Sequence, residues 1–224
     1  MAARTKKPTK RSKRSNLDKA ARRQQILEAA RDVFAKRGYH QTTIDHVVQE
    51  AGVARGTFYL YFEDKRAVLS ELIDRFNARI GMAITTIVTE DKTRSVAEQA
   101  KENVRAVVTL ALNERAMTKI LFQDAIGVDP SFDRKLLVFY DEVVQLLTES
   151  LHDGQRLGIV ADGEPKVLAY MTIGALKELM SQVVTLGLTA ASADVLTEQI
   201  FAFLSRGVLR VEEPATAKRR KRSR

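Results

Sequence analysis

Cysteine is absent from this 224-residue chain, which excludes disulfides, thiolate catalysis and Cys-ligated zinc. No apolar run approaches the ~20 residues that a membrane span needs. The N-terminus is basic but lacks the apolar stretch of a secretion signal, so a cytoplasmic protein is expected. The three histidines, His40, His46 and His152, are scattered and have no metal-ligand spacing. Gly-rich phosphate loops and a nucleophile elbow are missing, and the carboxylates read as solvated helix faces. Neither an enzyme nor a catalytic residue, metal or cofactor is expected. Strand signals are missing too: Asp153-Gly154 and Asp162-Gly163 lie beside helical patterns rather than between alternating apolar runs. Proline occurs only at Pro8, Pro130, Pro165 and Pro214. Two of these, after Asp129 and Glu164, stand where helices should start.

Apolar residues make up 45% of the chain, enough for a substantial core, and positive charge is unevenly placed. Residues 1–23 carry ten Lys/Arg against Asp18, and residues 212–224 carry six against Glu212 and Glu213. The formal +9 therefore resides in the two ends, and the body between them is mildly acidic. Such segments bury little apolar surface, which predicts a disordered arm over residues 1–18 and a disordered tail over 212–224. Either could hold phosphates without sequence preference.

Between the ends the period is helical. A first helix is predicted at about Lys19–Arg37, with Ile26, Ala29, Ala30, Val33 and Phe34 inward and Gly38 as its stop. Further helices are predicted over Thr43–Ala51, Arg55–Phe62, Asp64 to about Ile80, Ser95 to about Leu112, Asn113 to about Ile126, Pro130 to about Leu157, Pro165 to about Leu188, and Ser192 to about Val211. Ser95 and Glu98 have capping-box spacing. The β-branched run Ile84–Thr89 blurs the end of the fourth. The fold class is thus all-α with about nine helices, divided into residues 19–66 and a larger unit over 67–211.

Residues Thr42–Lys65 are the most informative stretch. They read as two short helices joined by a tight turn, the layout that presents a second helix to the major groove of DNA. Thr43 suits an N-cap and a phosphate, Gly52 suits a turn with positive φ, and Val53, Phe58 and Phe62 plug the angle. Arg55, Gly56, Thr57, Tyr59 and Tyr61 are left on or near the outward face. Arg55 fits a guanine edge, and Lys65 is placed for a neighbouring phosphate.

In this order the residues resemble the DNA-binding domain of the TetR (tetracycline-repressor) family. The likeness runs through Gln25–Ala30 and Phe34–Tyr39, then Thr43–Asp45, Ala51–Val53, Gly56–Phe62 and Lys65. It implies an N-terminal three-helix helix-turn-helix domain followed by a helical domain for ligand binding and dimerisation. It also implies a homodimeric regulator, usually a bacterial repressor, that binds a near-palindromic operator and leaves it when a small molecule binds. Thr43, Arg55, Gly56, Thr57, Tyr59, Tyr61 and Lys65 carry over as the DNA-facing set. Two positions depart from the family pattern: Ala54, often Ser, and Val48, often Ala.

In the second unit, helices eight and nine have more apolar face than one small core uses, which fits a four-helix interface with a second copy. Its residues would include Val167, Met171, Ala175, Leu179, Val195, Ile200, Phe203 and Leu204. A ligand pocket could be lined by Phe76, Val104, Val108, Met117, Phe122, Phe139 and Met171, with Asp124, Tyr140 and Glu178 as polar groups. Ordinary core packing competes at each position, and both a lipid-like and a cationic effector remain open. The partners expected are double-stranded operator DNA, an effector and a second copy, without a membrane. The alternative function is a scaffold that binds nucleic acid without sequence preference, through its basic ends.

Overall fold

In a computed structural model, residues 10–121, 130–158, 160–187 and 191–206 are described, and among them no strand occurs. The helices of these described residues are α1 Lys10–Arg37, α2 Ile44–Ala51, α3 Arg55–Tyr59, α4 Lys65–Ala83, α5 Val96–Asn113, α6 Arg115–Lys119, α7 Pro130–Arg156, α8 Pro165–Ser181 and α9 Ala193–Arg206. A π-helical turn, Gln182–Leu186, extends α8.

Local chemistry sets most boundaries. Gly38 ends α1 at φ 80° and its N–H returns to Phe34 O. Gly52 ends α2 at φ 62°, a left-handed position that glycine occupies without strain. Ser95 and Glu98 form the predicted reciprocal capping box of α5. Pro165 stands in the first turn of α8 behind an accepting Glu164 side chain.

Other boundaries differ from the sequence expectation. The first helix starts at Lys10, so residues 10–18 are helical rather than part of a disordered arm. No glycine or proline interrupts that stretch, and elongating an existing helix costs far less than nucleating one. Residues 1–9 and the expected 212–224 tail lie outside the described residues. Helix α3 stops at Tyr59 instead of Phe62, whereas α6 passes at Ile120 and Leu121 into a π-helical turn and its expected course to Ile126 lies outside the described residues. The β-branched run after Ala83 is extended rather than helical. Its Thr85 and Val88 backbones pair with the side-chain amides of Asn103 and Gln99, one turn apart on α5. These amides act as substitute peptide partners for a segment that has no strand beside it.

Two apolar cores result. The first gathers α1 to α4 with Met117 and Ile120 from and just beyond α6; Phe34, Phe58, Leu69 and Ile73 are fully enclosed. The second joins Val108 and Ala111 of α5 to Met180, Val183, Leu196 and Ile200. The stretch Pro165–Leu186 is long and apolar enough to cross a bilayer by length and composition, at a mean hydropathy of 1.2, although it is not an uninterrupted apolar run. Its Ala169, Met180 and Val183 are buried, Lys177 and Glu178 interrupt it, and most of its apolar window is open in the single chain.

Ala54 occupies the N-cap of α3 in extended backbone, with no side-chain hydrogen bond to the helix. Ala54→Ser supplies the missing acceptor and is expected to stabilise the protein by about 1 kcal/mol. A thermal melt that does not rise would remove this account of the cap.

Candidate nucleic-acid interface

Thr43 holds the start of α2. Its Oγ1 accepts the His46 N–H, and its own N–H donates to His46 Nδ1, both at 3.3 Å. The histidine thus takes the place of the usual Glu or Gln in a capping box, a pairing the sequence reading does not include. Thr43 is exposed, beside the N–H groups of the first turn of α2.

The five-residue α3 is pinned from below by Phe58, which is fully buried, and by Phe62. This leaves Arg55, Gly56 and Tyr59 exposed and Thr57 half-buried. A Cβ on Gly56 would meet nothing within 4 Å, so nothing inside the chain calls for glycine there. Leu60 is 81% exposed beside this face. The sequence reading misses it, although the inward turn of Phe58 and Phe62 leaves position 60 outside.

Arg55 is held before any DNA arrives. Its Nη1 donates to both Asp45 oxygens, at 2.6 and 2.9 Å, and its Nη2 lies 3.5 Å from Tyr59 OH. These bonds use Nη1 and Nη2 and leave Nε outside them, on a guanidinium that stays exposed. The remaining two residues of the DNA-facing set are placed otherwise than the resemblance implies. Tyr61 is half-buried against the first core, and its carbonyl accepts from Arg23 Nη1 at 2.8 Å. Lys65 directs its ammonium at three main-chain carbonyls, not outward.

Arg23, counted by sequence among the charges of the basic end, is also a folded-domain residue. It pairs with Glu71 of α4, and its guanidinium lies 4.3 Å from the Phe62 ring centre. Glu71 further accepts from Arg75, whose Nη1 donates to Gln24 of α1. Burial pushes the Glu71 carboxyl up, but the hydrogen bonds from Arg23 and Arg75 prevail and hold its pKa below the ordinary carboxylate value.

Residues 26–72 match the family model described as bacterial regulatory proteins, tetR family. The chain carries the DNA-binding domain of the TetR family of transcription regulators. The chain is 26% identical over 191 residues to an uncharacterised HTH-type transcriptional regulator, YdgC, of Bacillus subtilis, covering 83% of this chain and 94% of that one. To the fatty acid metabolism regulator protein of B. subtilis it is 37% identical over 75 residues, 34% of this chain and 37% of that one. Its fold is similar to that of the B. subtilis regulator FadR, solved in complex with stearoyl-CoA, at a TM-score of 0.67 and 22% identity over 83% of this chain and 99% of that one.

The described residues among those expected to line a pocket in the second unit are divided between the two cores and the surface. Phe76 and Met117 are buried in the first core, Val108 in the second, and Val104 packs on the second. Met171 is 66% exposed, and Glu178 is exposed and accepts from Gln182. Tyr140 has a half-buried setting, with its ring 6.3 Å from that of Tyr170. Phe122 and Asp124 lie outside the described residues, as does the side chain of Phe139. Apolar periodicity locates the inner side of a helix but does not tell which core that side faces. The interface set divides likewise. Val167, Met171, Ala175, Val195 and Phe203 are exposed or half-exposed, whereas Ile200 is buried, and Leu179 and Leu204 pack on the second core.

Gly56→Ala should leave the fold intact and raise its melting temperature, since alanine is favoured in a helix by roughly 1 kcal/mol. It should weaken DNA binding, because the new methyl occupies the approach to the groove; unchanged DNA affinity would put Gly56 outside the interface. Glu71→Gln should destabilise the protein at neutral pH. A carboxyl with a lowered folded pKa stabilises the fold above its unfolded value, and that contribution vanishes as pH falls through the folded value. The stability gap between wild type and variant should therefore narrow below the ordinary pKa of 4.5. A gap independent of pH would exclude ionised Glu71 as the source.

Proposed function

We propose that the protein is a homodimeric repressor that reads a near-palindromic operator with α3 of each copy and releases it when a small molecule binds in its second unit. The observation that carries the reading is the outward set Arg55, Gly56, Tyr59 and Leu60 on or beside a helix whose other side is fully packed. A tethered arginine, a glycine that the fold itself does not need, and an exposed ring and aliphatic chain are the parts of a groove-reading surface. Thr43 contributes a phosphate contact at the adjoining helix start.

The second copy is assigned to the open stripe of α8, Val167, Met171 and Ala175, with Val195 and Phe203 of α9. A two-fold operator requires two heads at a fixed spacing, and these side chains are too apolar to be left to water without reason. For the effector we propose a long-chain acyl-CoA thioester. One relative of the head carries the name of a fatty acid metabolism regulator, and the fold is shared with a regulator solved with stearoyl-CoA.

Selection from a randomised duplex pool at about 150 mM salt, where non-specific phosphate attraction is reduced, should enrich an inverted repeat with half-sites about one helical turn apart. A long-chain acyl-CoA added to that complex should then release the DNA, whereas free CoA should not. An unenriched pool would transfer DNA binding to the basic ends. Enrichment without release would retain the regulator and exclude the proposed effector.

A further inference from the structure

Lys65 is the first residue of α4, where the positive end of the helix disfavours a cation. Its Nζ donates to Thr42 O at 2.8 Å, Tyr39 O at 2.9 Å and His40 O at 3.3 Å, and lies 4.4 Å from the Tyr39 ring centre. An ammonium has three N–H donors, and all three are engaged. Burial lowers the pKa of the group, as expected where water has given way to carbonyls. The three acceptors belong to the turn between α1 and α2, which is also fixed by Thr42 Oγ1 donating to Gly38 O at 2.8 Å. That turn ends in Thr43, the cap of α2 and the proposed phosphate contact.

We infer that Lys65 is a positioning residue: it bolts the α1–α2 turn to the start of α4 and sets the place of Thr43 and α2 on DNA without touching a phosphate itself. Because α4 runs on to Ala83, where the strap to α5 begins, the bolt also ties the DNA-reading unit to the helix that leads into the second unit. This inference rests on the chain being an operator-binding regulator, and it replaces the phosphate role that resemblance gave to Lys65.

The test uses the full-length protein and the operator selected by wild type. Lys65→Met should weaken operator binding by about tenfold or more, the effect of removing several charge-assisted hydrogen bonds. The dependence of log affinity on log salt should keep its slope, since the substitution takes no cation away from a phosphate. Lys65→Arg should not restore affinity, because a planar guanidinium cannot direct three donors at a cage shaped for an ammonium. A slope shallower by about 0.9 for each phosphate no longer neutralised, or rescue by arginine, would overturn the inference in favour of direct phosphate binding. Unchanged affinity in the Met variant would overturn it as well.

Should the Met variant fail to fold, isotope-labelled lysine in wild type gives an independent reading. The Lys65 ammonium should give a slowly exchanging resonance that is unshifted by operator DNA; a fast-exchanging or DNA-shifted signal would contradict the cage. A wild-type protein that selects no site would fault the regulator reading instead, and the resonance would still report on the cage.

Discussion

The DNA-reading face rests on the burial of Phe58. Helix α3 has five residues, little more than one turn, and a helix of that length has no stability of its own because nucleation is not repaid by propagation. Enclosing a phenylalanine removes apolar area worth roughly 2–3 kcal/mol from water, and Phe62 packs against it at a ring separation of 5.9 Å. Everything that positions α3 converges on this plug: the Gly52 turn before it, the Arg23 bond to the Tyr61 carbonyl after it, and α1 and α4 beneath it. The side chains offered to DNA are therefore carried by a helix that exists only in its packed form, which fixes their directions in advance.

Positive charge in this chain has two kinds of use, and a count cannot separate them. Arg23, Lys65 and Lys119 each donate to main-chain carbonyls on or beside other elements, Lys119 reaching Ala35 O near the end of α1 at 2.7 Å. Carbonyls at helix ends and in turns lack intrahelical partners, and a long cationic side chain satisfies them while bridging elements far apart in sequence. Arg55 is the contrasting case: restrained by Asp45 and still exposed to solvent. Both uses draw on the same residue types, and only the fold assigns them.

What the sequence made legible was local. The Thr43 cap, the left-handed Gly52, the Ser95–Glu98 box and the proline at the start of α8 follow from chemistry within four residues, and each stands where expected. The inward aromatics of α3 were legible because aromatic spacing on a short helix leaves few alternatives. The early start of α1 was not, because charged residues without periodicity read as solvated chain until a packed helix downstream extends into them. Nor was the extended course after Ala83, which depends on Gln99 and Asn103 from the next helix. The pocket and interface sets are spread over more than one setting for a related reason. Helix α5 serves both cores, Leu110 packing on the first and Val108 lying in the second, and residues with similar apolar character, such as Met117, Val108 and Met171, end in the first core, in the second and on the surface.

The division between a head and a second unit is less sharp in packing than in sequence. Met117 and Ile120 belong to the core that contains Phe34 and Phe76, and Lys119 holds the end of α1 from the same short helix. A displacement of α6 or α4 cannot be absorbed at a soft boundary, because close-packed side chains move to another discrete arrangement or not at all. On the proposed function, this shared core is where an effector in the second unit would act on the spacing of two heads. The coupling runs equally in the other direction. DNA that selects one placement of α2 and α3 must, through the same packing, favour one placement of α4 and α6, so effector and operator oppose each other by equal free energies.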